Sequence, residues 1–143
     1  MTALARNYKL AAYQSISAHG GVAAADPHRL VLMLMDGALE RLAIARGCLA
    51  RNQRGDVARK ARALTQCMRI IGELRGSLNL RQGGPLAQNL SELYEYMLRQ
   101  LLRANAENQP SSLSEVESLL GEIRSAWIAI GPQVRQAAPA PNA

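Results

Sequence analysis

DPHRLVLMLMDGALERLAIARGCLARN, residues 26–52, is the stretch that decides how this chain folds. Asp26 is a residue type that caps helices, and Pro27 suits the first helical position, where its missing N–H is not needed. Beyond them Val31, Met35, Ala38, Leu42, Ala45 and Leu49 recur at steps of three and four, so they form one buried stripe along a helix. The pattern runs out near Asn52, ahead of Gly55.

Working outward, the same periodicity returns three times. Residues 56–80 predict a second helix with Val57, Ala61, Leu64, Met68, Ile71 and Leu78 inward. Gly83-Gly84-Pro85 is a breaker, and Pro85 opens a third helix to residue 108, with Leu86, Leu90, Leu93, Met97, Leu101 and Ala104 inward. Asn108-Gln109-Pro110 ends it. Ser112 or Ser114 can cap a fourth helix over 112–131, whose stripe is Leu113, Val116, Leu120, Ile123, Trp127 and Ile130. Glu115 and Glu117 stand in its first turn, where the helix dipole favours acid. Gly131-Pro132 weakens or ends this helix. Four helices of similar length with short connections predict an all-α fold, an antiparallel up-down four-helix bundle over 26–131. Residues 1–25 read as an N-terminal arm, partly helical from Tyr8 to Ile16 and closing in the small residues Gly20 to Ala25. The stretch 132–143 reads as a disordered tail, since Ala137 to Ala143 has Pro, Ala and Asn and no core residues.

Composition agrees with one domain. The chain has 143 residues, with four Tyr, one Trp and no Phe, so aliphatic side chains must fill the core. Cys48 and Cys67 form no CxxC pair and read as reduced thiols in or near the core. His19 and His28 match no zinc spacing, and no cofactor is expected. The first 25 residues lack a basic start followed by an apolar run, and Leu30 to Met35 is too short to span a bilayer. The expectation is a cytoplasmic protein without membrane insertion.

Net charge is +6. Between Arg41 and Arg81 lie nine Arg and Lys60, against Asp56 and Glu73 alone. Such a surface can attract nucleic acid or acidic protein. The stretch has no aromatic residue for base stacking and no recognisable nucleic-acid-binding motif, so a solvated Arg-rich face is favoured and nucleic acid is not expected. No catalytic constellation stands out either. Gly20-Gly21 and Gly83-Gly84 follow no strand, and Glu92 and Glu95 lack di-iron spacing. Asp36, inside an apolar helix, reads as an exposed side chain or a groove acceptor ahead of a general base. The chain is not expected to be an enzyme.

Several apolar residues fall outside the stripes. Leu32 and Met33 stand beside Asp36 and Gly37, Ile70 and Leu74 flank the second stripe, and Tyr96 flanks the third. They form either the margin of a wide core or grooves for another chain.

Ordered fragments of this sequence resemble one family. They are Ala12-Tyr13, then Asp26-Pro27-His28-Arg29-Leu30, then Met33-Leu34-Met35-Asp36-Gly37-Ala38. Gly55-Asp56, Gly83-Gly84 and Asn89 through Met97 follow, with Arg103-Ala104-Asn105 and Ala126-Trp127 completing the set. In order and at this spacing they are similar to the FliS family of flagellin export chaperones, from about Ala12 to Ile130. Met35 stands where the family often has an aromatic, Pro85 where Glu is common, and Ser17 to Ala25 match poorly. The resemblance implies a four-helix chaperone that holds the C-terminal segment of flagellin, blocks its premature polymerisation and delivers it to the flagellar type III export gate. Some members also bind a flagellar anti-sigma factor. The client-binding residues it points to here are Tyr13, Ile16, Leu32, Met33, Asp36, Gly37, Ile70, Leu74, Asn89, Glu92, Leu93 and Tyr96, with Tyr13 carried on an arm that acts as a movable lid. The competing reading is a basic helical adaptor or nucleic-acid-associated protein using the Arg41–Arg81 region.

Overall fold

A computed structural model describes residues 26–137. The arm, 1–25, and the last residues, 138–143, lie outside the described residues, and with them the expected roles of Tyr13 and Ile16. Four helices follow in order: α1 Pro27–Arg51, α2 Asp56–Gly76, α3 Leu80–Glu107 and α4 Pro110–Ala137. No strand occurs among the described residues. Each helix packs on its chain neighbour, and α4 returns to pack on α1, which closes the four-helix ring.

The ends form for local reasons. Asp26 accepts a hydrogen bond from the Arg29 amide at 3.2 Å, the expected cap, with Pro27 at the first helical position. Asn52 and Asn108 end α1 and α3 in the left-handed conformation, and their amides donate to the carbonyls of Cys48 and Ala104. Between α1 and α2 the Asp56 carboxylate accepts from the Gln53 amide (2.9 Å) and from Arg51 (3.0 Å). Arg51, then the Gln53 amide, hold that carboxyl below its ordinary range.

Four boundaries differ from the sequence reading. α2 ends at Gly76 rather than near 80, because the Ser77 hydroxyl donates to the Leu74 carbonyl at 2.8 Å and satisfies one of the last carbonyls of the helix. α3 then gains a turn before Pro85, capped by Asn79, whose side chain accepts from the Gln82 amide at 3.0 Å. The long part still starts at Pro85, since Gly84 breaks the helix at φ 58°, ψ −139°, a conformation that a side chain strains. α4 starts at Pro110 and continues through Gly131-Pro132 to Ala137. A proline disfavours helix at the preceding residue partly through that residue's Cβ, and Gly131 has none.

The core contains Met35, Ala38, Leu42 and Ala45 of α1, Leu64, Cys67, Ile71 and Leu74 of α2, Tyr94, Met97, Leu101 and Ala104 of α3, and Leu113, Val116 and Leu120 of α4. In α2 the buried face is rotated from the expected stripe. Val57 is 68% exposed, whereas Lys60 is buried. The Lys60 stem lies inside and its ammonium donates to the Asn105 carbonyl at 3.0 Å and to the Asn108 side chain. A cation placed there meets the negative end of α3. In α3, Leu86 is 66% exposed and Ala87 takes the inward position. Ile130 is likewise exposed at the end of the fourth stripe.

Both cysteines are buried thiols. Burial pushes Cys67 from an ordinary 9.0 up to about 12, and Tyr94 from 10.0 up to about 12. In the unfolded chain each group ionises at its ordinary value, while the fold keeps it neutral. Stability from these groups is therefore complete below pH 9 and falls as pH rises towards 12. Thermal unfolding followed from pH 8 to 11.5 should show this decline. Tyr94→Phe should make the decline shallower above pH 10, where the phenol's effect adds to that of the Cys67 thiol, and change neutral-pH stability by no more than about 1 kcal/mol. Parallel pH profiles for the two proteins would contradict this assignment.

Candidate functional site

Of the described residues singled out in the sequence, all but Leu74 sit on three seams of the bundle. The first lies between α1 and α2. Met33 and Ile44 are each 41% exposed on α1, and Gly37 lies between them on the same face. Gly37 faces α2 so closely that a Cβ there would sit 3.5 Å from Ile70 Cδ1. Ile70 is half-buried and packs on the core from this side. Further along, Arg41 Nε donates to Gln66 Oε1 at 3.2 Å and bounds the apolar strip.

The second seam, between α1 and α4, is charged. Arg124 Nε donates to Asp36 Oδ1 at 2.6 Å, and Arg46 holds Glu117 through two bonds of 3.0 and 2.9 Å. Asp36 is thus an exposed ion-pair acceptor. Leu32, one turn before it, is half-buried on the same side.

On the third seam Tyr96 of α3 donates its hydroxyl to Glu115 of α4 at 2.7 Å, with the Arg99 guanidinium 5.9 Å from the ring centre. The Glu115 carboxylate holds the Tyr96 phenol above its ordinary range. Asn89, Leu93 and Tyr96 share one helical face, where Leu93 is half-buried and Asn89 is exposed, with exposed Glu92 beside them. An open, polar depression of about 520 Å³ continues from Tyr96 past Gln100 and Arg103 to Ser112 and Glu115. Leu74 belongs to none of the seams. It is 2% exposed and forms part of the core, which corrects its placement beside the stripe.

Sequence reasoning missed a fourth feature, at the end of the bundle where α1 begins and α4 ends. A mostly apolar cavity of about 250 Å³ is lined from all sides by Val31 and Met35, Leu74 and Leu78, Leu90 and Tyr94, and Ile123 and Trp127. Beside it His28 stacks on Trp127, with ring centres 4.8 Å apart and planes at 12°. Trp127 Nε1 donates to the His28 carbonyl at 3.0 Å, and His28 Nε2 donates to the Trp127 carbonyl at 2.7 Å. A carbonyl only accepts, so Nε2 carries a proton. Gly131 leaves the space the imidazole fills, since a Cβ there would collide with the ring. The two residues lie 99 positions apart, and no local pattern joins them.

Comparison with known proteins identifies this arrangement. The family described as "Flagellar protein FliS" matches residues 9–134, which includes every seam and the end cavity. The chain belongs to the FliS family. It is 46% identical over 115 residues to flagellar secretion chaperone FliSB of Pseudomonas aeruginosa, covering 80% of this chain and 89% of that protein. Flagellar secretion chaperone FliS of Salmonella typhimurium is 44% identical over 123 residues, covering 85% of this chain and 89% of its own length. The Vibrio cholerae FliS is 39% identical over 124 residues, at 87% and 89% coverage. The members named here are thus flagellar secretion chaperones, and the family is one of chaperones rather than enzymes. Among the described residues of this FliS chain, no three His, Cys, Asp or Glu side chains gather as metal ligands would, and no helix is long and apolar enough to cross a membrane.

The His28 contact gives a direct test of the bundle end. Gly131→Ala should expel the imidazole and destabilise the fold by about 1–3 kcal/mol. Trp127 is the sole tryptophan, so its emission reports the change without ambiguity. Unchanged emission and Tm would show that the ring does not fill that space.

Proposed function

We propose that this chain is a cytoplasmic flagellar secretion chaperone that holds the C-terminal segment of flagellin and hands it to the type III export gate. The observation that carries the reading is the apolar strip of Met33, Gly37, Ile44 and Ile70 left open on α1 and α2 of a FliS fold. An amphipathic client segment fits such a strip in the helix-in-groove manner, and Met33 can re-pack around it. The other seams add Leu32 with Asp36, and Leu93 with Asn89, Glu92 and Tyr96. They lie on different sides of the bundle, so a client that uses all of them wraps around it as several segments. Wrapping suits a segment that is disordered when free, because ordering it opposes binding by about 2–5 kcal/mol and demands a large contact area. Under this reading Tyr13 and Ile16 stand on an arm that flagellin displaces, leaving Tyr13 for the gate. A flagellar anti-sigma factor is a second client under this reading.

Replacing Met33 and Ile70 together by Gln should weaken binding of a flagellin C-terminal peptide by about tenfold or more, with helicity retained. A large drop in Tm with unaltered peptide affinity would instead assign both residues to the core. For the arm, amide exchange over residues 8–16 should quicken when the peptide binds. Equal, fast exchange with and without peptide would remove the lid from the mechanism.

A further inference from the structure

The basic stretch noted in the sequence divides in two once folded. Arg41, Arg46, Arg51 and Arg75 engage Glu40, Glu117, Asp56 and Glu95, and Lys60 is buried against α3. Arg59, Arg62 and Arg69 have no ion pair among the described residues, and all three are exposed. They project from the solvent side of α2, away from the face that buries Leu64, Cys67 and Ile71. Exposed Arg54 precedes them in the loop before the helix.

Folding alone does not favour this arrangement. Arg59 and Arg62 stand in the first two turns of α2, near the positive end of the helix dipole, where acidic residues are the stabilising choice. They also repel each other at a spacing of three. The one acid in that first turn, Asp56, is already neutralised by Arg51. We infer that the outer face of α2 is a docking surface for an acidic α-helix of a partner protein, separate from the apolar strip. Two features favour a helix over a nucleic acid. No aromatic residue lies between Arg41 and Arg81 to stack on a base. Gln66, which accepts from Arg41, and Glu73 stand among these arginines, while Ala58, Ala61, Thr65 and Gly72 form a flank of small residues directly beside them, so a second helix can approach α2 along that flank with its carboxylates over the arginines. Arg62 and Arg69 are two turns apart, about 10 Å, the spacing of carboxylates seven residues apart on the partner.

The test uses the full chain and a labelled Ala-rich helical peptide of about twenty residues with Glu at positions matching Arg59, Arg62 and Arg69. The peptide should bind, and more weakly as salt rises. Arg59→Glu, Arg62→Glu and Arg69→Glu combined should lower its affinity at least about tenfold, while Arg103→Glu on α3 changes it less than about twofold. If the triple reversal fails to fold, the corresponding triple Gln variant, checked for helicity, should still lose about fivefold. The inference is overturned if a peptide of the same composition with Glu scattered around the helix binds equally well. Tighter binding of a DNA duplex of about 20 base pairs overturns it in favour of nucleic acid. Undiminished binding to the reversed or neutralised variant overturns it outright.

Discussion

The packing of Met35, Leu42, Leu64, Ile71, Met97, Leu101 and Leu120 into one apolar interior supports everything else in this molecule. Each of these side chains is almost wholly withdrawn from water, and each such burial contributes about 1.5–3 kcal/mol. A surface ion pair contributes about 0–1 kcal/mol, so the charged seam between α1 and α4 orients the helices more than it holds them. With few aromatic residues available, Ala38, Ala45 and Ala104 let the helices come close where larger side chains would hold them apart.

A core made this way leaves the outer surfaces of the helices available for other chemistry. The α1–α2 seam stays apolar where Gly37 lets Ile70 approach, and Met33 and Ile44 remain 41% exposed beside it. The end of the bundle is handled differently. There the reciprocal His28–Trp127 bonds tie the start of α1 to the end of α4 while leaving the adjacent cavity unfilled. Tyr94 lines this cavity, is 3% exposed and has no hydrogen-bond partner for its hydroxyl among the described residues.

The charges are likewise sorted by position. Arginines facing a neighbouring helix find carboxylates, and Lys60 finds the carbonyl end of α3. Those on the outward side of α2 find none among the described residues, although they come from the same run of sequence. One stretch of chain thus supplies both structural pairs and a row of exposed arginines, Arg59, Arg62 and Arg69.

The sequence by itself determined the helices, their number and most of their ends. Asp26-Pro27, Asn52, Gly84-Pro85 and Asn108 act through their own backbone and their nearest neighbours, and such local chemistry is legible without a fold. It also determined the family, through motifs carried in order along the chain. Tertiary structure decided the rotation of each helix. Val57 and Leu86 are the more apolar residues, yet Lys60 and Ala87 are buried: Lys60 reaches a carbonyl on another helix, and Ala87 rather than Leu86 is turned inward. The same holds for Leu74, drawn into the core, and for the client residues, which periodicity could place beside a stripe but could not assign to a seam. His28 and Trp127 meet across 99 positions, and only the closing of the ring brings them together. Periodicity records which residues share a face; which neighbour covers that face depends on contacts that no local pattern encodes.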